Sequence, residues 1–296
     1  MKYLAFPLSL ITGLLAAYQL MSSGVSAETA GMVVALAVIA VVVALERWLP
    51  YPPQRHQPAT GTRADVWSLI LVAGGVETVI AALAPVAALA VYSWMLSQGW
   101  HGSVFPTHWP VFLQLVLLVL LSDLGKYWLH RAGHETRWGW RLHSVHHAVK
   151  RVYWLNGFRI HPLYHVLNFV LGILPWLCLG VSKEVMALYT VTLAVSAAFQ
   201  HANADLKHGW LNWVFNTNEL HRWHHSRHLP ESNANYGAIL VVWDVLFGTH
   251  RPAHPGAPAE FGMVHEDGYP MESYGQQLLV PFRARWWRDV ESRPHA

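Results

Sequence analysis

Long, uninterrupted apolar runs dominate the first half of the chain, without the alternation of a strand or the one-sided pattern of a soluble helix. They cover residues 3–20, 31–45, 66–96 and 110–129. About 20 apolar residues in a helix cross the hydrocarbon core of a bilayer, so each run predicts a membrane span. Residues 66–96 are too many for one upright span. Gly74 and Gly75 therefore predict a break there, with the span itself beginning near Val76.

Two shorter apolar runs follow, at 166–181 and 185–200, on either side of Lys183 and Glu184. At about 1.5 Å per residue they are barely long enough to cross a bilayer. We expect either a tilted hairpin or one that enters and leaves on a single side. The first run of the chain precedes a sequence that resembles a signal-peptidase site, residues 25–27. Its apolar part is longer than most signal cores, which favours an uncleaved anchor.

The distribution of positive charge predicts the orientation of these spans. Nearly all Lys and Arg residues lie at Lys2, in the 47–65 loop, in 126–160 and after residue 201, whereas the loops 22–30 and 97–109 contain none. Cytoplasmic loops are enriched in Lys and Arg. We therefore expect an integral membrane protein with about six spans and with both termini and the histidine-rich segments in the cytoplasm.

The composition agrees with a membrane protein. Hydrophobic residues make up 53% of the 296 residues and charged residues only 12%, against about 25% in a typical soluble domain. The 16 tryptophans suit a chain with much membrane interface. The net charge of +3 is modest and indicates no nucleic-acid partner. Cys178 is the only cysteine, which excludes an intrachain disulfide and a CxxC or iron–sulfur site.

Three histidine clusters carry the chemistry. They are His130-x-x-x-His134, His143-x-x-His146-His147 and His221-x-x-His224-His225. On a helix, positions i, i+3 and i+4 share one face, so each cluster is expected to aim its imidazoles at one place. Imidazole is a preferred ligand of zinc, copper, iron and nickel. The spacing lacks the glutamate of HExxH zinc proteases and the ExxH pairs of carboxylate-rich di-iron bundles. Eight histidines exceed what one tetrahedral zinc needs, so the pattern predicts two metals.

Further motifs accompany the clusters in a fixed order. They are Asp123, Tyr127, Arg159-Ile-His161-Pro162, Gln200-His201-Ala-Asn203, Asn235-Tyr236-Gly237 and Trp243-Asp244-x-x-Phe247-Gly248-Thr249. With them, residues 115–250 resemble the fatty acid hydroxylase / sterol desaturase superfamily of integral-membrane di-iron enzymes. Ala148 departs from the serine that often follows the second cluster in that family, a change that should not affect metal binding.

The resemblance implies an all-α membrane bundle with a cytoplasmic, histidine-rich helical cap that holds a di-metal site. It implies two irons, O2 as co-substrate, and hydroxylation or desaturation of a lipid C–H bond. It also implies one further ligand between the second and third clusters. His201 matches best, with His161 and His165 as alternatives. The expected ligands are His130, His134, His143, His146, His147, His201, His221, His224 and His225.

Other side chains should orient the ligand rings. Asp123 lies two helical turns before His130, and its carboxylate is expected to accept the His130 ring N–H. His161, Asn203 and Asp244 are weaker candidates for the same task. The chain divides into an N-terminal transmembrane region (1–109), a catalytic region (110–250) and a cytoplasmic tail (251–296).

Oxygen chemistry on two ferrous ions needs electrons from elsewhere, and the chain has no nicotinamide fingerprint or ferredoxin cysteines. We therefore expect a separate electron-transfer protein at the cytoplasmic face and a lipid substrate that enters from the bilayer. Two alternatives remain. A histidine-lined metal transporter would place its ligands near the bilayer midplane, and a membrane zinc hydrolase would need fewer histidines and a general base.

Overall fold

The computed structural model describes residues 1–52, 60–254, 256–264 and 266–283. Within these residues all regular structure is helical, and the only β-type pairings are three isolated bridges. The all-α prediction is confirmed. Part of the 47–65 loop and residues 284–296 of the predicted tail lie outside the described residues.

Among the described residues, four helices are long and apolar enough to cross a membrane, as expected of a membrane protein. They are α1 (Ala5–Ser22), α2 (Ala27–Trp48), a continuous helix over Thr62–Ser97, and α5 (Val111–Glu135). The Thr62–Ser97 helix consists of α3 (Thr62–Leu69), a π-helical segment (Ile70–Val76) and α4 (Glu77–Ser97). The break predicted at Gly74 and Gly75 is therefore wrong: the two glycines lie in a widened turn, and the helix continues through it.

Further helices build the remainder. They are α6 (Arg137–His147), α7 (Pro162–Gly172), α8 (Leu174–Cys178), α9 (Lys183–Gln200), α10 (Asn218–His224), α11 (Leu229–Ser232), α12 (Val242–Leu246) and α13 (Tyr274–Gln277), with 3-10 turns at Trp154–Phe158, Gly209–Trp213 and Val280–Phe282. Their starts follow from capping. The Thr136 hydroxyl accepts the Gly139 N–H to begin α6, and the Ser182 hydroxyl accepts the Val185 N–H to begin α9. The apolar run 166–181 is divided near Ile173 into α7 and α8.

Helix α9 lies at the centre of the bundle, in contact with α1, α2 and α5. Eleven of its 18 residues are buried, including Val191 and Val195. Close helix crossing elsewhere depends on glycine. A Cβ added to Gly125 would collide with the Leu171 carbonyl, so α5 and α7 can meet only because that side chain is absent.

The bundle has two distinct ends. At one end the Ser103 hydroxyl donates to the Leu179 carbonyl over 3.0 Å, and Lys183 pairs with Glu28 at 3.1 Å. At the other end Lys2 pairs with Asp205, close in sequence to His201. Helix α9 therefore runs from the end that holds the α1–α2 turn to the end that holds the histidines.

Candidate metal centre

The nine histidines predicted as ligands fold into two neighbouring groups. Within each group one ring nitrogen from every member lies within 4.8 Å of the others. Cluster A contains His130, His134, His143, His147 and His224, and cluster B contains His146, His201, His221 and His225. The rings of His147 and His225 stack with centroids 4.5 Å apart, so the two clusters are in direct contact.

Each HxxHH motif contributes to both clusters. In α6, His143 and His147 face cluster A while His146 faces cluster B. In α10 and the residue that follows it the assignment is reversed, since His224 joins cluster A while His221 and His225 join cluster B. The expectation that each motif aims at one place is therefore wrong for the HxxHH motifs. Around the helix axis, residues i and i+4 are only about 40° apart. Residue i+3 is about 100° away from i+4, so its ring points toward the other cluster.

Three rings of cluster A donate Nδ1–H to one short segment of chain, residues 233–236. His130 reaches the Tyr236 carbonyl over 2.7 Å, and His224 reaches the Ala234 carbonyl over 2.8 Å. His134 Nδ1 lies 3.2 Å from the Asn233 side-chain oxygen. These bonds fix the proton on Nδ1 and leave Nε2 free for a metal.

Cluster B takes its acceptors from a different part of the chain. His146 Nδ1 lies 3.1 Å from the Arg159 carbonyl, and His201 Nδ1 lies 2.9 Å from the Asn156 side-chain oxygen. The Nε2 atoms again point inward: those of His201 and His221 are 3.0 Å apart. Asn156 is buried and also accepts the Tyr153 N–H, so its orientation is fixed.

The arrangement fits a bound transition metal in each cluster. Nε2 atoms approach one another at 3.0–3.2 Å in both clusters. Rings that are neutral and protonated at Nδ1 bring lone pairs together there, and a cation removes the repulsion. Each group consists of nitrogen donors alone, which suits iron, zinc or copper and not calcium or magnesium. Burial lowers the pKa of His146 to about 4 and lowers the pKa of His201 well below its usual value, so both rings stay neutral and able to bind metal.

The predicted contact between Asp123 and His130 is wrong. The Asp123 carboxylate accepts the backbone N–H groups of Ile239 (2.8 Å) and Leu240 (3.1 Å), while His130 uses the Tyr236 carbonyl. The prediction considered only neighbours on the same helix, whereas residues 239–240, distant in sequence, supply backbone N–H donors to this carboxylate. Asp123 thus acts on cluster A indirectly, through the segment that follows Tyr236.

Asp244 holds the same segment from its other side. Its carboxylate accepts the Tyr236 and Gly237 N–H groups at 2.7 and 2.8 Å, and the Thr249 hydroxyl at 2.7 Å. The Tyr236 N–H therefore donates to the Asp244 carboxylate, and the Tyr236 carbonyl accepts the Nδ1–H of His130. Among the described contacts, the other two candidates bind none of the nine histidine rings: His161 caps α7 through the Leu163 N–H, and the Asn203 side-chain oxygen is buried without a partner among the described residues.

Comparisons with known proteins agree with this site. The fatty acid hydroxylase family matches residues 115–249, the segment that holds all nine histidines. An ornithine lipid hydroxylase, OlsE of Rhizobium tropici, is 33% identical over 261 residues, which are 87% of this chain and 77% of that protein. This chain belongs to the fatty acid hydroxylase family. The resemblance found in the sequence is confirmed.

More distant members of the fatty acid hydroxylase family also match. The human alkylglycerol monooxygenase is 28% identical over 143 residues, 48% of this chain and 31% of that protein. The very-long-chain aldehyde decarbonylase GL1-9 of Oryza sativa is 24% identical over 208 residues, 68% of this chain and 79% of that protein. The chain thus spans about a third of the alkylglycerol monooxygenase. No solved structure matches the chain significantly.

Two carboxylates outside the segment matched to the fatty acid hydroxylase family, those of Asp65 and Glu46, also support the centre, and the sequence analysis missed them. Arg159, whose carbonyl accepts the His146 Nδ1–H, is fully buried, and its side chain pairs with Asp65 of α3 at 2.5 Å. The Tyr153 hydroxyl donates to the same carboxylate at 2.6 Å. Glu46, near the end of α2, accepts two backbone N–H groups beside cluster B. A charge at the end of an apolar run was the available signal, but it also marks an ordinary membrane boundary.

Proposed function

We propose that this chain is a membrane-bound enzyme that holds two irons, one in each histidine cluster, and uses O2 to hydroxylate a C–H bond of a polar membrane lipid. The observation that supports this most is the pair of touching, all-histidine clusters in a member of the fatty acid hydroxylase family. Bound iron would supply the activation of oxygen. Each cluster alone already has enough nitrogen donors for one ion.

The protein's own contribution is orientation and exclusion of water. Backbone and amide oxygens hold Nδ1–H groups so that Nε2 faces the metal. Aromatic rings close the surroundings of cluster A: Tyr164 stacks on His143 at 4.8 Å, and the Trp140 ring is 5.5 Å from His134. Because a lipid gains little by leaving the bilayer, we propose that it reaches this site from between the membrane helices.

The relatives favour hydroxylation over desaturation. OlsE, which matches 87% of this chain, is named an ornithine lipid hydroxylase, and the alkylglycerol relatives are named monooxygenases. Neither name describes a desaturase. An ornithine lipid is therefore the first substrate to test, and an alkylglycerol the second.

We propose six crossings, although only four helices in the part of the chain that the structure describes meet the length and hydropathy of a span. Helix α9 extends from Lys183, beside Glu28, to the histidine end, and α7 with α8 returns from that end to Leu179, beside Ser103. These elements supply the fifth and sixth crossings. The charge distribution supports a cytoplasmic location for the histidine end and for both termini.

Cysteine labelling tests the orientation. In a Cys178→Ala background, Ser103→Cys should react with an impermeant thiol reagent in intact cells. Gln276→Cys, exposed in α13 near the histidine end, should react only after the membrane is opened. The reverse pattern would overturn the cytoplasmic assignment and would require an electron source on the outer side.

Electrons must come from a separate donor, which we place at the cytoplasmic face beside the clusters. The two alternative functions differ from this proposal in measurable ways. Metal analysis of the purified protein should give about two irons per chain. One zinc would favour a hydrolase, and a loosely held ion would favour a transporter.

The decisive experiment looks for the hydroxylated lipid product and its dependence on a cluster histidine. Cells that make ornithine lipid, with and without this chain, should differ by a lipid 16 mass units heavier, the mass of one oxygen atom. His134→Ala should abolish that product. A product lighter by two hydrogens would instead assign desaturation, and unchanged lipids in iron-loaded cells would overturn the substrate proposal.

A further inference from the structure

Cluster B depends on a hydrogen bond between two segments that are far apart in sequence. His201 follows α9, and its partner Asn156 lies in the 3-10 turn Trp154–Phe158. The bond from His201 Nδ1 to the Asn156 side-chain oxygen is 2.9 Å long. The length and angle of this bond are kept only if the two backbone segments stay in a fixed position relative to each other.

Glu46 of α2 holds both backbones with a single atom. Its Oε1 accepts the Trp154 N–H and the Asn203 N–H, each over 2.8 Å. Trp154 opens the turn that carries Asn156, and Asn203 lies two residues after His201. The carboxylate is therefore a bridge between the two segments that form the ring-orienting bond.

The surroundings leave little freedom at this junction. A Cβ added to Gly157 would come within 3.2 Å of the His201 ring, so turn and ring are in close contact. The Tyr51 N–H donates to the Asn203 carbonyl at 3.1 Å, which ties the end of α2 to the same segment. By contrast, the carboxylates that hold cluster A, those of Asp123 and Asp244, bind residues 236–240.

We propose that Glu46 is a positioning residue for the metal in cluster B, and that it acts through the two backbone N–H groups it joins. It does not touch a ligand ring. The proposal rests on the proposed function in requiring a metal in each cluster. It assigns part of the centre to a membrane helix outside the segment that matches the family.

The test measures metal content in four versions of the full-length, detergent-purified chain loaded with iron(II) without oxygen. Wild type should keep about two irons after dialysis against a chelator that competes with cluster B. Glu46→Ala should keep one, because metal affinity at cluster B falls roughly 10- to 100-fold. Glu46→Gln should keep two, since its amide oxygen still accepts both N–H groups. Glu28→Ala, an exposed carboxylate at the far end of α2, is the matched control and should keep two.

Double variants assign the loss to one cluster. Glu46→Ala combined with His201→Ala should retain the same single iron, whereas Glu46→Ala combined with His134→Ala should retain none. Two irons in Glu46→Ala, or loss of both in Glu46→Ala alone, would overturn the proposal. If Glu46→Ala does not fold, Glu46→Met fills the volume without accepting a hydrogen bond, and failure of both would make Glu46 a general folding residue. A wild type with fewer than two irons would instead contradict the proposed function.

Discussion

The two clusters share histidines of the α6 and α10 motifs but are held in place by different parts of the chain. Three rings of cluster A donate to residues 233–236. Asp244 accepts the Tyr236 N–H of that segment, Asp123 accepts the N–H groups of Ile239 and Leu240 just after it, and all of these lie inside the family match at 115–249. In cluster B, His201 and His146 are hydrogen-bonded to Asn156 and Arg159. The segment that carries these two residues is bound to α2 through Glu46 and to α3 through Asp65.

This difference teaches that the N-terminal helices do more than anchor the protein. Cluster A can be oriented by the family segment alone, while cluster B needs carboxylates from helices that the family match does not include. The proposed boundary between residues 109 and 110 therefore separates sequence segments, but the network around cluster B crosses it.

The largest expected effect is loss of a ligand from either cluster. His134→Ala and His201→Ala should each abolish lipid product and should each leave about one bound metal, because both ions are needed for the proposed oxygen chemistry. Elemental analysis and lipid mass spectrometry measure the two results. His228→Ala is the control, since this ring is exposed and belongs to neither cluster. Full activity with two metals in His134→Ala or His201→Ala would refute the assignment.

Without metal, both clusters should make the stability of the protein depend on pH. Burial lowers the pKa of His146 to about 4 and those of His147 and His221 well below 6.5. The unfolded chain takes up protons first as the pH falls below about 6.5, so the metal-free protein should lose stability between pH 6.5 and 4. Thermal unfolding of chelator-treated protein at several pH values measures this. A flat profile would contradict buried, neutral rings.

The third effect concerns the stability that the buried ion pair beneath cluster B provides, compared with an exposed pair. Arg159→Met breaks the buried pair with Asp65 and leaves a buried carboxylate unpaired, which should cost about 3–5 kcal/mol. Arg227→Met breaks the exposed pair with Glu260 and should cost about 0–1 kcal/mol. Chemical unfolding in detergent compares them. Equal effects would mean that the Asp65–Arg159 pair adds nothing beyond a surface contact.

The sequence predicted which histidines the fold brings together, because the HxxxH and HxxHH spacings and the apolar runs are local. Helical periodicity brings His130 to His134, and run length predicts a membrane helix. The sequence could not predict the division of each HxxHH motif between two clusters, since that depends on how the two motifs lie relative to each other in the fold. It also could not find Glu46 or Asp65, whose partners are more than 80 residues away.

The same limit explains the error at Asp123. Position two turns before His130 suggested a direct contact, but a carboxylate binds whichever donors the fold brings to it. Here those donors are the Ile239 and Leu240 N–H groups, about 116 residues away in sequence. Local periodicity thus identified a residue of the right region and gave it the wrong partner.

A smaller effect should follow from loosening the support of cluster A alone. Asp244→Asn replaces one acceptor oxygen by an amide NH2, which faces the Tyr236 or Gly237 N–H and repels it. The Tyr236 carbonyl should shift, and metal affinity at cluster A should fall roughly 10- to 100-fold. Chelator competition in a His201→Ala background, where only cluster A binds metal, isolates the change. Unchanged affinity there would remove Asp244 from the support of cluster A.

The smallest effect is expected for Asp123→Asn, which sharpens the comparison because Asp123 acts one step further from the rings than Asp244. Asn can still accept the Ile239 N–H, so mainly the longer 3.1 Å bond from Leu240 is lost. Metal affinity at cluster A should fall by about tenfold or less, with no change at cluster B measured in a His134→Ala background. If Asp123→Asn weakened cluster A more than Asp244→Asn does, the support would run through residues 239–240 and not through the Tyr236 carbonyl.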